Sequence, residues 1–215
     1  MLLENEFTAL RLELSVKAKN GIDFMVAASI LWSVITIIWM QPNPPSRNAL
    51  FTFIVSGAML PLAFAFSKVF KTIWKIKSNP LQPLGLWLNF AQLFYFPFLI
   101  FVYIKQPQHF IMTYGIITGA HFFPYAWFYN VKAYAVMAGV IAFGCMFIGL
   151  NITVEDLYLI PLFITVSLVV MSLMISVSYR KNKAIYQHSA PMNQVAQEQF
   201  AHSILPTGVE TRTRV

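Results

Sequence analysis

The chain is 215 residues long, 58% hydrophobic and only 11% charged, against about 25% charged in an average soluble domain. That much apolar surface cannot be hidden in a soluble core of this size, and apolar spans at this length leave no room for a separate large soluble domain. The net charge of +7 would suit a soluble nucleic-acid binder, but Lys and Arg here flank the apolar runs, where membrane topology places them, so nucleic acid is not the expected partner.

Residues 1–19 carry Leu3, Phe7, Leu10 and Leu14 at helical spacing with charges on the other faces. This reads as an amphipathic helix lying along the cytoplasmic surface, with a coiled-coil partner as the rival reading. The segment is too polar for the core of a signal peptide, so the first span is expected to stay attached. Residues 20–179 form the expected transmembrane domain. Its apolar stretches at about 21–40, 49–70, 84–104, 110–129, 133–151 and 157–179 each approach the roughly 20 residues that cross the hydrocarbon. The fifth is the shortest, and the turn Asn130, Val131, Lys132 before it is tight, so a re-entrant pair is the alternative for spans four and five.

Thirteen of the fifteen Lys and Arg residues fall on one side of these spans, and only Arg47 and Lys105 fall on the other. Basic residues are retained in the cytoplasm, which places both termini there. Residues 180–215 read as a flexible cytoplasmic tail. The expected class is an all-α polytopic bundle of about six spans.

Polar residues deep in a span must be paired or water-lined, so each is a candidate for function. Asn89 and Gln92 lie one turn apart in the third span. Tyr114, Thr118, His121 and Tyr125 form one stripe down the fourth, beside Gly115 and Gly119, a small-residue pair that lets another helix approach closely. The third span is the expected neighbour, because the connection between them is short. Gln92 and His121 then either hydrogen-bond as packing, a contact worth about 0.6 kcal/mol in lipid, or line a cavity with Asn89, Tyr114, Thr118 and Tyr125 that holds a ligand or a proton path.

Pro61, Pro97, Pro124 and Pro161 lie inside spans and remove backbone donors there, so spans two, three and four are expected to bend. Asp23 stands four residues after Lys19, the spacing of an ion pair. Ser29, Ser33 and Thr36 in the first span, and Ala138, Ala142, Cys145 and Gly149 in the fifth, look like packing faces. Cys145 is the single cysteine, so no internal disulfide or multi-cysteine metal site can form. No nucleophile and base pair, phosphate loop or paired carboxylates stand out, so an enzyme is not expected, and no metal or cofactor is called for.

The segments Asn79–Phe101 (NPLQPLGLWLNFAQLFYFPFLIF) and Tyr114–Asn130 (YGIITGAHFFPYAWFYN) resemble a family of small bacterial multipass membrane proteins with no assigned activity. The resemblance covers about Leu10 to Tyr179 and implies a bacterial inner membrane, with nothing implied about substrate or about the chain after Lys183. Three readings follow. The first is a small-solute transporter or ligand-binding permease with its site at Asn89, Gln92, Tyr114, Thr118, His121 and Tyr125, taking a small polar or aromatic solute. The second is a non-transporting accessory or sensor protein whose partners bind the N-terminal segment, the loop Lys68 to Lys77 or the tail. The third is a haem- or quinone-binding protein resting on His121. Membrane lipid, and a second copy of the chain to enclose a pathway, are the remaining expected partners.

Overall fold

The computed structural model describes residues 4–204, with side chains described over 6–188; Leu3 of the N-terminal stripe and residues 205–215 lie outside it. The described residues are helical and include no strand. The helices are α1 (Glu4–Lys17), α2 (Ile22–Trp39), α3 (Pro45–Ser56), α4 (Met59–Phe70), α5 (Gln82–Leu93), α6 (Phe96–Lys105), α7 (Phe110–Phe128), α8 (Lys132–Asn151) and α9 (Leu159–Ile204).

Among the described residues, four helical stretches are long and apolar enough to cross a bilayer: Lys19–Trp39, Gln82–Lys105, Lys132–Asn151 and Val154–His188. The pair α3 and α4, bent by 41°, meets the same measure of length and hydropathy when the two are taken together, which gives four to five candidate spans. At 19 residues α7 is also long enough, but its polar stripe dilutes its hydropathy. Large side chains point outward, as with Phe94, Phe143, Phe147 and Leu173, while Ala27, Ala138 and Cys145 are buried. Helices apolar all round, with small residues inside, are what lipid rather than water selects.

Hydrogen bonds gather alternate helix ends together. The Ile73 N–H donates to the Lys17 carbonyl at 3.0 Å, Lys19 Nζ to the Phe70 carbonyl at 2.6 Å, Asn20 Nδ2 to the Ile175 carbonyl at 3.0 Å, and Arg11 Nε to the Trp127 carbonyl at 2.5 Å. The start of α2, the end of α4, the end of α7 and the stretch of α9 around Ile175 therefore share one end of the bundle. Most of the lysines and arginines lie at that end. The chain runs back and forth between it and the opposite end, where Trp39 Nε1 donates to Thr52 Oγ1 at 2.9 Å.

Prolines explain two breaks and not a third. Pro61 and Pro97 cannot donate to the carbonyls of Gly57 and Leu93, and the chain breaks there, between α3 and α4 and between α5 and α6. By contrast α7 runs through Pro124 without a break. Pro161 falls in the first turn of α9, where a missing donor costs little.

The seam between α7 and α8 is the most extensive helix pair. Its basis is small residues on both sides. A methyl group on Gly119 would stand 2.6 Å from the Ala142 nitrogen and 3.1 Å from the Ala138 carbonyl, and one on Gly115 would stand 2.7 Å from Cys145 Sγ. Met112 fills the space over Gly149. The small-residue run of the fifth span thus meets the glycines of the fourth, and the neighbour that Gly115 and Gly119 admit is α8 rather than the third span. The turn between them closes because Asn130 takes a left-handed backbone (φ 55) and the Val131 N–H reaches the Ala126 carbonyl at 3.0 Å, the Schellman pattern. At 19 and 20 residues, α7 and α8 each rise roughly 30 Å, whereas a re-entrant pair would be built from half-length helices. Ile160, Ile164, Leu168, Met171 and Ile175 of α9, all at 0% exposure, form the inner stripe at helical spacing.

At the basic end α1 packs on the bundle: Leu12, Leu14 and Ser15 are buried and Phe7 lies 5.5 Å from the Trp127 ring. Beyond Tyr179, α9 continues as helix through Ile204. Its first turns past Tyr179 are held by Asn182 Nδ2, which donates to Ser15 Oγ at 2.7 Å.

Gly119→Ala forces the methyl group against backbone atoms of α8, and we expect it to destabilise the detergent-solubilised protein by about 1–3 kcal/mol. Gly139→Ala meets nothing within 4 Å and is expected to leave the thermal midpoint unchanged or raise it. Equal midpoints for the two variants would show that the seam is not close-packed.

Candidate functional site

The six residues singled out in spans three and four do not form one cluster. Asn89 Nδ2 donates to the Gly85 carbonyl of its own helix at 2.8 Å. Gln92, half-buried in the last turn of α5, has no hydrogen bond to His121. Helix α5 buries none of its residues; it touches α7 mainly where Gly85 faces Phe128, and a methyl group on that glycine would stand 2.9 Å from the ring. Tyr114 turns to the other side of α7, where its hydroxyl donates to Ser56 Oγ of α3 at 2.9 Å and its ring lies 5.2 Å from Trp32.

His121 and Tyr125 do meet, with rings 5.3 Å apart edge to face. Tyr125 also joins Tyr129 at 6.0 Å and Tyr134 at 5.8 Å, so the lower end of the stripe is an aromatic cluster between α7 and α8. Two buried hydroxyls, Thr118 Oγ1 and the Tyr125 OH, have no hydrogen-bond partner. Most other span hydroxyls bond to their own helix, as Ser29 does to the Met25 carbonyl at 2.8 Å and Ser33 to the Ser29 carbonyl at 2.8 Å.

The densest polar construction is at the basic end, around two residues that sequence spacing did not assign correctly or at all. Asn20, fully buried, sits in the left-handed region (φ 55) between α1 and α2. Its Oδ1 accepts from Ser15 Oγ at 2.6 Å, its Nδ2 donates to the Ile175 carbonyl, and its carbonyl accepts from the Tyr134 hydroxyl at 2.5 Å. With Asn182 donating to Ser15, the relay runs from α9 through α1 and back to α9. The one available signal was an Asn-Gly pair at the head of an apolar run, which marks a turn.

Asp23, 1% exposed, does not pair with Lys19. Its Oδ2 accepts from Thr72 Oγ1 and Trp74 Nε1, both at 2.6 Å, and it stands in the first turn of α2, where the helix dipole favours a carboxylate. The strap from Lys71 to Leu81 is thereby tied down: Trp74 stacks on Phe24 at 5.1 Å, and Asn79 Nδ2 reaches the Leu10 carbonyl at 2.9 Å and Glu13 Oε2 at 2.7 Å. Glu13 also holds Lys17 at 2.5 Å, and that hydrogen bond raises the Lys17 pKa. Arg11 donates to Asn130 Oδ1 at 3.2 Å and lies 4.9 Å over the Trp127 ring; partial burial lowers its pKa. Lys68, Lys71, Lys75 and Lys77 remain exposed, so the end presents cations outward over a hydrogen-bonded base.

Asp23→Ala strands the Thr72 and Trp74 donors, at a cost of about 1–3 kcal/mol. We expect faster tryptic cleavage at Lys71, Lys75 or Lys77, with a smaller change for Asp23→Asn, which keeps an acceptor oxygen. Cleavage of Asp23→Ala at the wild-type rate would show that the carboxylate does not hold the strap.

No curated protein and no solved structure matches the chain. A family model described as "Family of unknown function (DUF7010)" matches residues 7–178, from the first turn of α1 to the part of α9 that meets Asn20. The chain therefore belongs to this family of unknown function, as an all-helical protein with several helices fit to cross a membrane.

Proposed function

We propose that this chain is a multipass protein of a bacterial inner membrane that works through its basic end, on the cytoplasmic side, as a non-transporting accessory or sensor protein. The thirteen-to-two division of Lys and Arg supports the orientation, with six passes and both termini inside. The observation that carries the role is where the polar groups are invested. The middle of the bundle is closed by the close contacts of Gly115, Gly119 and Gly149 along α7 and α8, whereas the basic end combines a hydrogen-bonded frame with three exposed lysines on the strap and Lys68 at the end of α4. A rigid, cationic, outward-facing surface suits contact with an acidic partner segment or with the membrane surface.

Transport or ligand binding at the midplane is the second reading. Thr118 Oγ1 and the Tyr125 OH favour it, because buried hydroxyls without partners are the exception in folded proteins and a bound molecule would satisfy them.

One double variant separates the two. Thr118→Val with Tyr125→Phe removes both orphaned hydroxyls, so under the accessory reading the protein is at least as stable, with a gain of up to about 1–3 kcal/mol. Native mass spectrometry then shows the same species for wild type and variant. A small molecule bound to the wild type and lost from the variant would reverse the order of the readings. Orientation is checked separately in a Cys145→Ala background: an impermeant maleimide should label Arg47→Cys in intact cells and Lys75→Cys only after permeabilisation.

A further inference from the structure

A groove of about 440 Å³ opens at the basic end between the α7–α8 turn and α9. One wall is the start of α8 with Lys132; the other is α9 with Met174, Val177 and Lys181. Met174, Val177 and Lys181 are three and four residues apart, so they stand on one face of α9 in order along its axis. Met174 and Val177 are exposed at 36% and 55% and lie within the apolar stretch that reaches His188. Lys181 is one turn further out. Neither Lys132 nor Lys181 has an acidic partner among the described residues, and no acidic residue lines the groove.

We propose that this groove binds one anionic phospholipid, its phosphate between Lys132 and Lys181 and the beginning of its acyl chains on Met174 and Val177. The order of chemistry along α9, apolar and then cationic, repeats the order along the lipid from acyl chain to phosphate. Two unpaired cations facing an apolar floor at the end of membrane helices are complementary to a phosphodiester carried on a hydrocarbon tail, and basic recesses of this kind between helices recognise anionic headgroups. The second wall is fixed in place. Asn130, which lines the groove, accepts from Arg11 at 3.2 Å, and Asn182, on the opposite side, donates to Ser15 at 2.7 Å. Helix α1 thus braces both walls from behind, and α8 begins at the groove without a side-chain cap, so its positive helix end adds to the field. The lipid site rests on the proposed embedding in a bilayer, not on the accessory role.

The test uses the full-length protein, delipidated in detergent and titrated with phosphatidylglycerol or phosphatidylcholine, with bound lipid counted by native mass spectrometry. Wild type should retain one phosphatidylglycerol in preference to phosphatidylcholine. Lys132→Gln with Lys181→Gln should weaken that binding by roughly thirtyfold, from about 1 kcal/mol for each lysine. Arg47→Gln with Lys105→Gln, which removes the same charge from the opposite end, should leave it within about twofold of wild type, a small shift on the scale of one such lysine. Equal binding of the two lipids, an equal loss in the opposite-end variant, or displacement by millimolar inorganic phosphate without lipid preference would each overturn the proposal. Carbonate extraction of the same membranes reports embedding by itself: a chain released by carbonate refutes the membrane placement, while one that is retained and shows no lipid preference refutes only the site.

Discussion

Asn20 has no water to turn to. It is fully buried where two helices join, and its backbone is left-handed, a conformation that asparagine tolerates better than other side chains that bear both a donor and an acceptor. Glycine would allow the φ angle but supply neither of the side-chain bonds to Ser15 and Ile175. Because the Tyr134 hydroxyl closes on its carbonyl as well, this one residue ties α1, α2, α8 and α9. The position of α1 follows from it, and through Arg11 and Asn79 so do the α7–α8 turn and the strap.

The sequence exposed what short-range physics writes. Apolar run length located the helices, and the skewed placement of Lys and Arg grouped the loops that the hydrogen bonds of the structure bring to one end. Spacing along a single helix also picked out both halves of the closest seam, Gly115 with Gly119 and Ala138, Ala142, Cys145 with Gly149. It could not say that the halves face each other, because a short connection such as the one near Pro107 makes two helices successive without deciding which face each turns. Gly115 and Gly119 therefore went to the wrong neighbour, and with them the expected meeting of Gln92 and His121. Asp23 failed in a similar way. An i, i+4 lysine is the nearest partner in sequence, but Thr72 and Trp74, about fifty residues away, offer neutral donors at a depth where burying a second charge would cost more than it returns.

The means of holding helices together change along the bundle. In hydrocarbon there is no hydrophobic drive between helices, so association relies on close contact and small residues, and the α7–α8 seam and the inner stripe of α9 supply it. Toward the basic end, hydrogen bonds between side chains and free backbone carbonyls take over, because helix ends leave those carbonyls without partners and long polar side chains can reach them.

Helix pair α5 and α6 receives little of either. It is held at one end by Asn79 and along α6 by the buried Leu99 and Val102 and by Phe96 and Tyr103 against the Phe53 ring, while the break ahead of Pro97 presents Phe94 at 83% exposure. On α7, by contrast, a methyl group added at Gly119 already meets the backbone of α8. Gln92 lies on α5, which buries none of its residues, and His121 on α7, which is closely packed against α8, so the two residues that look like a pair in sequence belong to differently packed parts of the molecule.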